Sequence, residues 1–283
     1  MRGLSDIGTI KDILHRHGFT FSKALGQNFL INPSVCPRMA ELSGAGEGVG
    51  VIEIGPGIGV LTNELCQLAD KVVAVELDKR LIPVLGETLA EYNNFKVINA
   101  DVLELDLNKL IEDEFSGMEV VICANLPYYI TSPVIMKLLE DKLPITAITV
   151  MVQKEAAQRI CAPVGSRESG AVTVSVNYYA EPSLQFHVSA GSFMPAPKVD
   201  SAVIRLDVRK EPPVITDEEK FFRVVKAAFS QRRKVISNSL SSGLKMSKDE
   251  IIEVLAAANV PSNARAEKLS LDDFAAIAGN LRD

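Results

Sequence analysis

The sequence predicts an α/β protein with a doubly wound, largely parallel sheet, followed by a small all-helical domain. Between residues 49 and 153, short β-branched runs alternate with helical stretches, and beyond residue 217 only helical patterns follow. Pro212 and Pro213 lie between these two regions. Because neither a helix nor a strand continues through two consecutive prolines, they mark a linker. We therefore expect one domain over 1–210, including an N-terminal segment over 1–40, and a second over 211–283.

The expected elements follow in chain order. Short apolar runs predict buried strands at Val49–Gly55, Lys71–Leu77, Phe95–Ala100, Val120–Asn125 and Ile145–Gln153. The stretches between them predict helices at Gly59–Ala69, Asp78–Tyr92 and Ser132–Glu140. After Gly170 the pattern changes and predicts strands without long helices between them, at Ala171–Ala180, Leu184–Ala190 and Ser201–Val208. The sheet is therefore expected to end in antiparallel pairs, before a helix that Asp217 caps and that runs through Phe229.

Composition excludes several classes of protein. The chain has 283 residues, of which 47% are hydrophobic and 23% charged, which excludes intrinsic disorder. Its apolar runs fall short of the roughly 18–20 residues that a membrane span needs. The cysteines and histidines are too scattered for a zinc site, so no metal is expected. We expect a soluble cytoplasmic protein that acts as a monomer.

The net charge of −6 conceals an uneven distribution of charge. Acidic residues dominate from Arg38 to Val120, whereas the stretch Arg223–Lys248 contains seven bases and no acid. Its densest part is Arg232-Arg233-Lys234. Such a stretch is typical either of a solvated helix face or of a local contact with nucleic acid phosphates, and charge alone does not choose between them.

A glycine loop follows the first strand of the predicted sheet. The run Glu53–Gly59 (EIGPGIG) ends a strand and opens a helix, where small residues let the backbone approach a ligand closely. Its glycines run GxGxG, which differs from the dinucleotide pattern GxGxxG. The loop therefore indicates either a cofactor without a pyrophosphate or a tight structural turn.

Acidic and amide side chains end the next three strands. Glu76 stands where a carboxylate accepts hydrogen bonds from ribose hydroxyls, Asp101 where an acid holds an adenine amine, and Asn125 ends the fourth strand. Each acid alone is also typical of a helix N-cap, which is the expected role of Asp78. Because ligands of open α/β sheets bind at the carboxyl ends of the strands, these positions converge on one crevice.

The tetrapeptide Asn125-Leu126-Pro127-Tyr128 places an amide oxygen, a backbone carbonyl and a flat ring together at a strand end. Two acceptors around one amine, with a ring against the base, suit methylation of an exocyclic amino group. The lone pair of the adenine amine is delocalised into the ring, and hydrogen bonds that favour a pyramidal nitrogen make it a better nucleophile. Taken alone, the tetrapeptide is equally typical of a proline turn.

In order along the chain, six segments resemble the motifs of the ribosomal RNA adenine dimethyltransferases, which use S-adenosylmethionine. These segments are Leu25–Leu30 (LGQNFL), Val51–Thr62 (VIEIGPGIGVLT), Ala74–Asp78 (AVELD), Asn99–Val102 (NADV), Asn125–Tyr129 (NLPYY) and Phe193–Val203 (FMPAPKVDSAV). With leucine at position 126, the chain is most similar to the bacterial branch of this family, which dimethylates two adjacent adenosines in a loop near the 3′ end of 16S rRNA. The branch that acts on 23S rRNA usually carries isoleucine there.

The resemblance implies a Rossmann-like methyltransferase sheet and a role for each matching residue. Asn28 and Leu30 are expected to contact the cofactor, with Gly55 contacting it through its backbone. Glu76 is expected to bind the ribose and Asp101 the adenine of the cofactor.

For the target base, the resemblance implies that Asn125 lies between cofactor and adenine, next to Leu126 and Pro127. Tyr128 and Phe193 are expected to stack on either side of the extruded adenine. The partner that the resemblance implies is 16S rRNA within the small subunit or its precursor, and Arg232, Arg233 and Lys234 are candidates to contact it. Three alternatives remain at this stage: a 23S rRNA methyltransferase, a mainly non-catalytic assembly factor and a nicotinamide-dependent oxidoreductase.

Overall fold

The computed structural model describes residues 4–19, 28–231 and 233–281. They form two compact units. The first comprises residues up to Ala157 together with Ser183–Val208, and the second comprises Gln158–Pro182 and the residues from Arg209 onwards. The predicted division at residue 210 is corrected in one respect, because the segment 158–182 belongs to the second unit. Its Tyr178 packs its ring against Phe221, with ring centroids 4.8 Å apart.

The strands of the described residues are β1 (Phe29–Leu30), β2 (Val49–Ile54), β3 (Lys71–Glu76), β4 (Phe95–Asn99), β5 (Glu119–Asn125), β6 (Ala147–Gln153), β7 (Ala180–Val188), β8 (Phe193–Met194) and β9 (Ser201–Val208). Seven of them form one sheet in the order β4-β3-β2-β5-β6-β9-β7, and β1 pairs with β8. Strands β2 to β6 pair with one another in parallel, and β9 is antiparallel to β6. The predicted α/β class and the antiparallel end of the sheet are confirmed.

The helices of the described residues are α1 (Ile7–Arg16), α2 (Val35–Ser43), α3 (Val60–Leu68), α4 (Ile82–Thr88), α5 (Leu107–Glu114), α6 (Thr131–Glu140), α7 (Lys154–Ile160), α8 (Ala171–Tyr179), α9 (Glu218–Phe229), α10 (Ile236–Leu244), α11 (Lys248–Ala257) and α12 (Leu271–Asn280). The cap at Asp217 is confirmed, since its carboxylate accepts a hydrogen bond from the Lys220 N–H at 3.0 Å. The expected helix over 78–92 is shorter and begins with a 3-10 turn that Asp78 caps.

The central strands are apolar because helices cover both faces of a parallel sheet. Ile52 in β2 pairs with Val73 of β3 on one side and with Ile122 of β5 on the other, and all three are fully buried. Gly50 in the same strand lets the Phe115 ring pack directly on the backbone, since a Cβ there would lie 2.1 Å from a ring carbon. Because β2 to β6 pair in parallel, their carboxyl ends lie at one edge of the sheet.

The prediction of a strand at Ala171–Ala180 was wrong, because residues 171–179 form helix α8. The run is rich in β-branched residues, but five of its residues between Thr173 and Tyr178 are buried, so it lacks the one polar face that an exposed strand or helix would show. A local contact favours the helix: the Thr173 hydroxyl accepts a hydrogen bond from the Gly170 N–H at 2.9 Å. Burial and capping here override the strand propensity of valine.

Candidate active site

A crevice opens at the carboxyl ends of the parallel strands in the first unit. It lies where the strand order reverses between β2 and β5, which is the usual position of a ligand in an open α/β sheet. The structure brings together in its lining every predicted cofactor and target residue: Asn28, Leu30, Gly55, Glu76, Asp101, Asn125, Leu126, Pro127, Tyr128 and Phe193.

The glycine loop between β2 and α3 forms the floor of the crevice. Gly55, Gly57 and Gly59 have φ angles of 69°, 61° and 90°, a left-handed conformation that residues with a side chain rarely adopt. A Cβ added to Gly55 would meet no atom of the described chain within 4 Å, so the space beside that residue is open to a ligand.

Glu76 ends β3 beside this loop. Its carboxylate accepts hydrogen bonds from the Asp78 N–H at 2.7 Å and, more weakly, from the Gly57 N–H at 3.4 Å. Burial raises the pKa of this carboxyl, and the backbone hydrogen bonds from Asp78 and Gly57 oppose the rise. Asp78 is outside the crevice lining and forms a salt bridge with Arg80 at 2.6 Å, so Glu76 is the carboxylate at this strand end that lines the crevice.

Glu53, near the end of β2, is a feature to which sequence reasoning gave no separate role. It lines the crevice, is 1% exposed, and its Oε2 atom has no hydrogen-bond partner in the described part of the chain. Burial raises the pKa of its carboxyl to about 8. A buried polar oxygen without a partner is costly, and a ligand that donates a hydrogen bond removes that cost.

Replacing Glu53 by glutamine is expected to flatten the pH dependence of stability in the absence of ligands. Between the ordinary pKa of 4.5 and the folded-state value of about 8, the unfolded chain has lost a proton that the folded chain retains. The free energy of unfolding of the wild-type protein therefore falls as pH rises through this window. Glu53 contributes a slope of up to roughly 1.4 kcal/mol per pH unit, which glutamine removes.

Thermal unfolding between about pH 5 and pH 8 measures this effect. The difference in stability between the glutamine variant and the wild type should grow with pH. Glu47→Gln, a change at an exposed carboxylate just before β2, is the matched control. Parallel unfolding curves for wild type and Glu53→Gln would show that Glu53 is ionised in the folded protein.

At the end of β5, the side-chain amide of Asn125, the backbone of Leu126 and the ring of Tyr128 follow one another closely along the chain. The side chain of Leu126 is 1% exposed, and its N–H donates to the Met151 carbonyl at 3.3 Å, which fixes the backbone here. The side-chain amide of Asn125 lines the crevice and has no hydrogen-bond partner among the described residues. After Pro127 the chain turns into a 3-10 helix over Tyr128–Ile130. Asn125 is therefore available to a ligand.

Two aromatic rings contribute to the crevice. Tyr128 is half-buried, and its phenolic oxygen lies 2.7 Å from the Ser201 hydroxyl. Burial raises the pKa of this phenol, and the hydrogen bond to Ser201 lowers it. Phe193 is 4% exposed and lies opposite Leu30 in the short pairing of β8 with β1. Ser201 lies within the segment Phe193–Val203, but the sequence alone predicted no role for it.

The remaining predicted residues occupy two places. The carboxylate of Asp101 lies in the crevice and also accepts a hydrogen bond from the Leu103 N–H at 2.9 Å. Arg233 and Lys234 are exposed in the second unit and do not line the crevice. Arg232 and the motif residues 25–27 lie outside the described residues.

In residues 4–19, 28–231 and 233–281, no group of histidine, cysteine and carboxylate side chains is arranged to hold a metal ion. None of the helices in the same ranges combines the length and apolar character that a membrane span requires.

The crevice fits S-adenosylmethionine on grounds of geometry and donor chemistry. The space beside Gly55 admits a ligand close to the backbone, and Glu76 offers a carboxylate to a ribose. The unpartnered Oε2 of Glu53 suits a hydrogen-bond donor or a cation, and the cofactor carries both an ammonium and a sulfonium group. These residues fit a nucleoside cofactor with a cationic end.

Known proteins resemble this chain over nearly its whole length. The family model for ribosomal RNA adenine dimethylases matches residues 18–283. Ribosomal RNA small subunit methyltransferase A of Alkaliphilus oremlandii is 48% identical over 273 residues, which is 96% of this chain and 95% of that protein. The protein of the same name from a Geobacillus species is 45% identical over 280 residues, which is 97% of this chain and 96% of that protein.

Two solved structures of RNA-modifying enzymes are also similar to this chain over most of its length. The crystal structure of a dimethyladenosine transferase from Plasmodium falciparum has a TM-score of 0.73 at 27% identity, covering 88% of this chain and 95% of that one. The 23S rRNA methyltransferase ErmE has a TM-score of 0.68 at 29% identity, covering 90% of this chain and 99% of that one.

These matches include the crevice and exclude the alternative of a nicotinamide-dependent oxidoreductase. The chain is an S-adenosylmethionine-dependent methyltransferase, and it belongs to the ribosomal RNA adenine dimethylase family.

Proposed function

We propose that this enzyme dimethylates the exocyclic amines of two adjacent adenosines in a loop near the 3′ end of 16S rRNA during small-subunit biogenesis. The observation that carries the proposal is the unpartnered amide of Asn125 beside the Tyr128 ring, in a crevice suited to a nucleoside cofactor. The choice of the small subunit is supported by relatives named for that subunit at 45–48% identity. The 23S enzyme is 29% identical.

The proposed role of Asn125 is to orient the target amine. Its side-chain oxygen and the Leu126 carbonyl would each accept a hydrogen bond from the amine. Two acceptors for its hydrogens favour a pyramidal nitrogen, whose lone pair then leaves conjugation with the ring and points towards the methyl donor. Because the buried side chain and the bonded N–H of Leu126 fix the backbone, the carbonyl is held in place before the substrate arrives.

Tyr128 and Phe193 are proposed to hold the extruded adenine between their rings. Loop bases in RNA are commonly read by stacking on aromatic side chains. A ring face also stabilises the positive charge that develops on the base during methyl transfer. Stacking holds the plane of the base, and the hydrogen bonds at Asn125 set its rotation within that plane.

The cofactor is proposed to be held by Asn28, Leu30, Gly55, Glu76 and Asp101, with Asn125 between it and the target. When bound, S-adenosylmethionine supplies an electrophilic methyl group. The residues of the chain hold the cofactor in position. Gly55 contributes its backbone and Glu76 its preoriented carboxylate. Asp101 contributes the carboxylate oxygen that does not accept the hydrogen bond from the Leu103 N–H.

Replacing Glu76 by alanine is expected to raise the KM for S-adenosylmethionine while kcat largely recovers at saturation. Charge-assisted hydrogen bonds to two ribose hydroxyls contribute roughly 1.5–3 kcal/mol each at most. Asp78→Asn is the control, because that carboxylate is engaged by Arg80 and lies outside the crevice lining. Steady-state kinetics with varied cofactor gives the answer: an unchanged KM for Glu76→Ala would move the ribose contact elsewhere.

The basic cluster Arg232, Arg233 and Lys234 is proposed to hold rRNA phosphates. The six described bases of the stretch 223–248 are exposed, and none forms an ion pair with another described residue. Like charges without partners repel one another, and an RNA backbone offsets that repulsion. We further propose that the enzyme acts as a monomer in the cytoplasm, where its ribosomal substrate is assembled.

Methyl transfer from labelled cofactor to ribosomal particles tests the proposed substrate. Small and large subunits that lack the modification are each incubated with the enzyme, and label is counted in the rRNA. We expect label in the small subunit and background in the large one. Label in the large subunit would support the 23S alternative, and binding to small subunits without label would support an assembly factor that is mainly non-catalytic.

A further inference from the structure

A serine outside the crevice is hydrogen-bonded to the aromatic ring beside Asn125. Ser201, the first residue of β9, is fully buried, and its hydroxyl lies 2.7 Å from the phenolic oxygen of Tyr128. Ser201 is not part of the crevice lining, so its hydroxyl reaches the site only through Tyr128. The two residues are 73 positions apart in the chain.

Ser201 is anchored from both sides of its strand end. It lies opposite Gln153 in the antiparallel pairing of β9 with β6. The preceding residue, Asp200, accepts a hydrogen bond from the Lys154 N–H through its carbonyl and one from the Ala190 N–H through its side chain, each at 3.0 Å. The backbone that carries the Ser201 hydroxyl is therefore fixed by the sheet.

Tyr128 has less support of its own. It begins a single 3-10 turn whose N-cap residue, Pro127, makes no side-chain capping bond. The phenolic oxygen lies on the axis about which the ring turns, so its hydrogen bond fixes the direction of the side chain and the place of the ring, and packing sets the rotation about that axis. The hydroxyl of Ser201 fixes the far end of that ring.

We propose that Ser201 is a positioning residue, which holds the ring of Tyr128 at the place where the target adenine stacks. This inference rests on the proposed function. Methyl transfer depends steeply on the position of the nucleophile, and misplacement of about 1 Å costs about a hundredfold in rate. Because one neutral hydrogen bond makes a modest net contribution, its loss should lower kcat by about tenfold.

A double-mutant cycle on the full-length enzyme tests the proposal. Ser201→Ala and Tyr128→Phe remove the same hydrogen bond from opposite ends, so the second change should add little to the first. We expect each single variant to lower kcat by about tenfold, with an unchanged KM for S-adenosylmethionine, and the double variant to match the slower single variant. Ser183→Ala, which removes a serine hydroxyl from the neighbouring β7, should keep the wild-type kcat.

The outcomes separate this inference from the proposed function. Losses that multiply in the double variant, or a wild-type kcat for Ser201→Ala, would overturn the positioning role while wild-type methylation of small subunits stands. Tyr128→Phe keeps the test open if Ser201→Ala fails to fold, because a wild-type kcat for that variant also overturns the role. Absence of methylation by the wild-type enzyme would overturn the proposed function itself.

Discussion

Replacing Asn125 by alanine is expected to lower the single-turnover rate of methyl transfer by about 10²–10³-fold. The amide of Asn125 has no other described partner, so its loss removes a contact to the target amine and disturbs nothing else in the crevice. Removal of one preoriented polar group that acts in the transition state costs about 2–4 kcal/mol. Cofactor binding should weaken only modestly, because the proposed cofactor contacts are spread over other residues.

Calorimetry for cofactor binding and single-turnover transfer to unmodified small subunits separate the two effects. Asn108→Ala, a change at an exposed asparagine of α5, is the control for a general effect of losing an amide. The assignment of Asn125 is wrong if its alanine variant transfers methyl groups within tenfold of the wild-type rate. A large loss of cofactor affinity at the wild-type transfer rate would make it a cofactor residue alone.

Changing Arg232, Arg233 and Lys234 together to glutamine is expected to weaken binding to small subunits while cofactor binding stays intact. Each phosphate contact that is lost reduces the slope of log affinity against log salt by roughly 0.7–0.9. If all three bases contact phosphates, the slope should shrink by about 2. At low salt, the triple variant should therefore lose far more affinity for small subunits than it would if the three bases only formed a solvated helix face.

Binding to small subunits at several salt concentrations measures this slope. The double change Arg265→Gln and Lys268→Gln is a matched control in the second unit, because both bases are exposed but lie beside the carboxylate residue Glu267. We expect the control to keep the wild-type slope. An unchanged slope with full methylation for the triple variant would mean that the cluster is a solvated face.

The parallel part of the sheet was predictable because burial on both faces leaves a clear record in the sequence. Strands such as β2 and β5 are nearly continuous apolar runs, and the residues that end them must meet at one edge. The positions of Glu76 and Asn125 in one crevice follow from that rule. Their motifs then resembled a family, and the match over residues 18–283 bears the resemblance out.

Other features depend on contacts that no local pattern records. Helix α8 has the composition of a strand, and its packing on Phe221 and its cap decide otherwise. The unpartnered oxygen of Glu53 is a property of the folded site, because only the surrounding atoms exclude water from it. The hydrogen bond between Ser201 and Tyr128 joins positions that the topology brings together through the pairing of β9 with β6.

The most direct test of this account is nucleoside analysis of rRNA from unmodified small subunits after incubation with the enzyme and S-adenosylmethionine. We expect N6,N6-dimethyladenosine at two adjacent positions near the 3′ end of 16S rRNA, formed about 10²–10³-fold more slowly with Asn125→Ala. Methylation of another atom or another base, or dimethyladenosine at undiminished yield with Asn125→Ala in single-turnover reactions, would contradict it.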